Sequence, residues 1–176
     1  MVDIPGLPTP DAGPVFDLAL LVHIAAGLVA VASGLLAMLT RKGGQWHIAT
    51  GRVFAVGIVG LFATMLVMTV IRWPATVHLA FLGAVALVAA ALGWRNRRRH
   101  GSDAFHIACM GTAYIAMLTA FYVDNGPHLP VWELLPDWAF WFLPTAIGAP
   151  LTVWAIRRHR TTGSARGTHR PGGLPA

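Results

Sequence analysis

Four histidines are distributed one to each of the first four apolar stretches: His23, His47, His78 and His106. Each sits near one end of its stretch, and the ends alternate. On a chain that weaves back and forth, His23 and His78 fall toward one face, and His47 and His106 toward the other. An imidazole in lipid surroundings is costly without a partner, so a histidine inside a membrane span marks a functional site. Imidazoles from different helices, facing each other across a bundle, can bracket the iron of a b-type haem. The pairs would be His23/His78 and His47/His106, each with ligand nitrogens ~4 Å apart across two ~2 Å bonds to iron. Two haems so stacked would make a short electron path through the bilayer.

The elements that must position these rings are membrane helices. The chain has 176 residues, of which 56% are hydrophobic and 11% charged; a soluble domain carries about a quarter charged residues. Mean hydropathy is +0.62. Five stretches, residues 16–39, 48–71, 75–94, 104–123 and 138–156, are long enough to cross about 30 Å of hydrocarbon as helices. The expected fold is all-α, an integral membrane bundle of five transmembrane helices. Short turns at 40–45 and 72–74 make consecutive helices antiparallel neighbours. Pro74 suits the first turn of the third helix, and Ser102 reads as the N-cap of the fourth, with Asp103 at the positive end of its dipole. The fifth stretch contains Pro144, Gly148 and Pro150, which predict a kink or local irregularity.

Charge sets the expected orientation. Arg41, Lys42, Arg52, Arg95, Arg97, Arg98, Arg99, Arg157, Arg158, Arg160, Arg166 and Arg170 all fall on one side of the weave, and Arg72 alone on the other. That asymmetry puts the N-terminus outside and the C-terminus in the cytoplasm. Asp3, Asp11, Asp17, Asp124, Glu133 and Asp137 lie outside; Asp103 lies inside. The net charge of +6 therefore reports topology and attraction to anionic lipid. It does not report nucleic-acid binding, since 95–99 has no interleaved stacking residues. Trp46 and Trp94 at inner ends, and Trp73, Trp132, Trp138 and Trp141 at the outer edge, form an aromatic belt. Residues 1–15 read as an outer leader, 16–160 as the transmembrane domain, and 161–176 as a disordered cytoplasmic tail. The opening Met-Val-Asp-Ile-Pro has no positive n-region, so a cleavable signal peptide is not expected.

Each histidine also has a plain reading. His23 lies six residues beyond Asp17, ~9 Å along the helix and too deep for a headgroup contact. Gly27 and Gly34 follow on its face, leaving room for a flat ligand or for close helix packing. His47, His78 and His106 each open a segment, where interfacial polar residues are common. Arg52, one turn inside the second segment, could pair with a haem propionate or a lipid phosphate. Other constellations have two readings as well. His100, Asp103 and His106 could hold zinc, or be a solvated loop. Asp124, His128, Glu133 and Asp137 could bind a cation, or be a solvated loop. Met65, Met68, Cys109, Met110 and Met117 could carry copper(I), or pack. The single cysteine excludes an internal disulfide. No catalytic triad, P-loop or Rossmann fingerprint is present.

The histidine arrangement, over about residues 18–124, resembles the transmembrane cytochrome b561 group, whose ligands come from alternate helices in the same way. The resemblance implies haem b held by His23, His78, His47 and His106, and electron transport across the membrane. This chain has five segments where that core usually has six, and lacks its ascorbate-binding signature. The run His47–Arg52, with Gly51 four residues after His47, and the run from Met110 to Pro130 are similar to bacterial predicted membrane proteins of unknown function. That likeness implies a multi-pass protein of the cell inner membrane. Two functions stay open from the residues alone. One is a b-type electron carrier with one or two haems, its redox partner unspecified. The other is a non-enzymatic accessory subunit or small permease, in which helix-end histidines are structural. Self-association is compatible with both.

Overall fold

In lipid every backbone polar group must be satisfied internally, which long apolar stretches achieve as helices. A computed structural model describes residues 12–130 and 132–167, with side chains of the last stretch described to His159. Among them the chain forms α1 (Pro14–Leu39), α2 (Gln45–Ile71), α3 (Val77–Arg98), α4 (Asp103–Asn125) and α5 (Asp137–Gly167), with two short 3-10 turns, Gly126–His128 and Trp132–Leu134, before α5. All five are long and apolar enough to cross a membrane. Residues 1–11 of the expected leader, and 168–176 of the expected tail, lie outside the described residues.

The boundaries have local causes. Pro14 occupies the first turn of α1, where its missing N–H costs nothing. The α1–α2 turn needs Gly43 at φ 77°, a left-handed backbone that glycine takes without strain. Pro74 does not enter the third helix: 72–76 form turns and α3 begins at Val77. Ser102 holds the N-cap position of α4 without a capping side-chain bond. Asn96 Nδ2 donates to the Ser102 carbonyl instead, at 2.7 Å. Helix α5 runs unbroken through Pro144, Gly148 and Pro150.

Helix α1 packs along α2, α3 along α4, α2 against α3, and α5 along α4. The core is built from small residues, Ala30, Ala86, Ala89, Ala90, Ala113 and Ala116, around Phe54, Ile58 and Met117. Small side chains let helix backbones approach, the usual basis of packing where lipid removes the hydrophobic drive between helices. Tyr114 of α4 reaches across to α1, where its hydroxyl donates to the Val31 carbonyl at 3.2 Å. The outward faces are apolar: Leu39 is 75%, Val56 72% and Val70 78% exposed. In water such a surface would aggregate; against acyl chains it is solvated.

Candidate functional site

The weave brings His47 and His106 to the arginine-rich end of the bundle. His47 lies in the first turn of α2 and His106 in the first turn of α4. Helix α1 ends beside His47, and its last carbonyls lack intrahelical donors. His47 Nδ1 lies 2.8 Å from one of them, that of Ala37. His106 Nδ1 lies 3.0 Å from the carbonyl of Gly93 in α3. A carbonyl can only accept, so both Nδ1 atoms carry the proton. In each neutral ring the lone pair is then on Nε2. The two histidines and Arg97 lie within electrostatic range of one another. Arg97 itself pairs with Asp103. His159 Nε2 of α5 lies 3.2 Å from the other oxygen of Asp103, so one carboxylate ties α3, α4 and α5 together.

At the opposite, acidic end, His23 of α1 faces α2. Its Nδ1 lies 2.8 Å from Thr64 Oγ1. The Thr64 hydroxyl proton is directed at the carbonyls of Gly60 and Leu61, 2.9 and 3.0 Å away. Thr64 Oγ1 therefore accepts from His23 Nδ1–H, and His23 too keeps its lone pair on Nε2. Thr64→Val removes that acceptor and leaves a half-buried N–H unpaired. The expected cost is ~1–3 kcal/mol, read as a lower thermal unfolding midpoint in detergent, with Thr64→Ser retaining the wild-type value. His78, in the first turn of α3, is exposed, and its ring lies 5.9 Å from that of Trp141. Asp124 lies within electrostatic range of His23, His78, Arg72 and His128.

Arg52 does not share the face of His47. Five residues at 100° each carry it ~140° around α2. It lines a groove on the α1–α2 seam with Val22, Ala25, Val29, Val53 and Val56. Of the space left open beside Gly27 and Gly34, that at Gly34 is taken by side chains, while that at Gly27 would admit a Cβ. A Cβ on Gly27 would lie 3.6 Å from Leu61, and one on Gly34 only 2.6 Å from the Tyr114 ring.

No group of three or more His, Cys, Asp or Glu that could hold a metal ion occurs among the described residues. The zinc set around His100 and the cation set around Glu133 are thus not assembled there. The soft atoms pack: Met65 and Met68 with Phe16, Ala19 and Leu79, Met117 in the main core, and Cys109 and Met110 against Gly93. Sequence reasoning missed the Ala37 and Gly93 carbonyls, Thr64 and Arg97. Thr64 had a signal: it lies at nearly the same depth as His23 from the same end, ~11 against ~14 Å at 1.5 Å per residue. Comparisons with protein-family models, curated proteins and solved structures each find no match.

Proposed function

We propose that this protein carries electrons across a bilayer on b-type haem. His47 and His106 are the axial ligands at the arginine-rich end, and His23 and His78 the second pair. The observation that carries the reading is the anchoring of the rings. His47 and His106 give Nδ1–H to backbone carbonyls, and His23 gives its to Thr64. Metal-ligating histidines are held this way, because the second bond fixes tautomer and ring orientation and raises the basicity of Nε2. Arg97, within electrostatic range of both inner rings, is the cation that a propionate would share with Asp103. Haem, when bound, supplies one-electron iron chemistry. The chain supplies axial nitrogens, their aim, a neutralising cation and an apolar surround. The pattern likeness to the cytochrome b561 group is part of this proposal.

The proposed orientation has the arginine-rich end in the cytoplasm, the N-terminus outside and the bundle in the cell inner membrane, on the positive-inside distribution of charge. A cysteine placed by Arg99→Cys in a Cys109→Ser background should react with a membrane-impermeant maleimide only after permeabilisation. Labelling in intact cells would overturn the orientation.

A second reading has an observation in its favour. Tyr114 and Phe54 press on Gly34, and His47 serves α1 as a helix-end cap. On that reading the histidines are clasps in an accessory subunit or small permease. Absorption spectroscopy separates the two. The purified protein, expressed with ample haem supply, should show a Soret band and sharpened visible bands on reduction. A colourless, folded protein would overturn the haem reading.

A further inference from the structure

Arg52 is a cation at membrane depth without a partner among the described residues. It stands seven residues into α2, ~10 Å along the helix axis, and it makes no hydrogen bond or ion pair among the described residues. A charge so placed is expensive unless paired or carried to the headgroup level. The acid on the same end, Asp103, is already held by Arg97 and His159. Among the described residues no other acid lies at that end, and a lipid headgroup is the anion the bilayer itself supplies at this depth.

The groove beside Arg52 says which anion. It has a volume of about 510 Å³ and runs between α1 and α2 from Arg52 to Gly60, ~12 Å along the axis. Apart from Arg52 it is lined by four valines and by the small residues Ala25, Ala26, Gly57 and Gly60. The occupant must be a narrow apolar rod with an acidic head at the Arg52 end. A second copy of this chain fits poorly. A two-fold axis along the bilayer normal makes the interface self-complementary and brings Arg52 opposite Arg52, two like charges in low dielectric.

We propose that the α1–α2 groove binds an anionic glycerophospholipid, one acyl chain lying between Val22 and Val29 of α1 and Val53 and Val56 of α2 and the headgroup phosphate paired with the Arg52 guanidinium. Guanidinium and phosphate match in a two-point fork, and the small residues Ala25, Ala26, Gly57 and Gly60 keep the seam shallow between the valines. This site is independent of the haem proposal.

The test uses purified full-length protein in nanodiscs of phosphatidylcholine with one-fifth phosphatidylglycerol, and reads retained lipid by native mass spectrometry. Wild type should retain phosphatidylglycerol over phosphatidylcholine by about tenfold, the worth of one charge-assisted contact. Arg52→Gln should abolish that preference, while Arg41→Gln, in the exposed turn, should keep it. Val56 lines the groove and is 72% exposed, so Val56→Trp should fold, fill the groove and lower retention of both lipids. Equal retention of the two lipids by wild type would overturn the proposal. So would a preference that survives Arg52→Gln, or a dimer with no retained lipid.

Discussion

Alanine at His106 or His47 is expected to abolish the haem signal of the arginine-rich end while the protein still inserts and folds. The Gly93 carbonyl lies inside α3 and keeps its helical bond. The Ala37 carbonyl keeps the Thr40 hydroxyl, which approaches it at 3.3 Å. Either substitution therefore costs the fold only ~1 kcal/mol, and alanine is the best helix former at both positions. The metal loses an entire axial bond. Added imidazole should restore much of the signal in His47→Ala, because Arg97 and His106 are untouched. His23→Ala should remove or alter the signal of the other pair by the same logic. His100→Ala should leave the spectrum unchanged, since His100 lies exposed in the turn after α3. Unchanged spectra for the His47 and His106 variants, with haem present, would remove both from the ligand set.

Leucine at Gly34 should lower the unfolding midpoint by roughly 5–10 °C. A Cβ there would stand 2.6 Å from Tyr114 Cε2 and 2.9 Å from Phe54 Cδ2. Phe54 is buried in the main core and cannot swing away. Its ring meets that of Tyr114 at a centroid distance of 5.9 Å. Leucine would push α1 off both rings and break the bond from Tyr114 to Val31. Overpacking of this kind costs ~1–3 kcal/mol and sometimes more. Gly27→Ala is the matched comparison. Its Cβ would sit 3.6 Å from Leu61, an ordinary contact, and it should unfold within a degree or two of wild type. Thermal unfolding in detergent, followed by size-exclusion profile, distinguishes the two. Equal midpoints would mean that the α1–α2–α4 junction is looser than described.

That contrast shows where reading the sequence runs out. Gly27 and Gly34 look alike as a stripe on one face of α1, yet only Gly34 meets an aromatic ring from α4, a long-range neighbour that no local pattern encodes. The five helices were legible, because lipid leaves few alternatives for an apolar stretch of such length. Their ends shifted by a few residues where turn geometry decided, as at Pro74. The sharing of ends by the histidines follows from alternation on antiparallel helices. Their acceptors do not, since backbone carbonyls have no letter in the sequence. The direction of Arg52 was readable from the 100° helical step. Asp124 reads from sequence as one of the outer loop acids, and its proximity to His23, His78 and Arg72 needed the fold.

The most direct measurement is electron paramagnetic resonance of the oxidised protein, purified with a haem count. Two imidazoles on one iron give a low-spin ferric signal. Wild type should show it, and His106→Ala should convert or lose the component of the arginine-rich end. A protein that carries no haem under ample supply, or one whose low-spin signal survives removal of both His47 and His106 with its full haem content, would contradict the account.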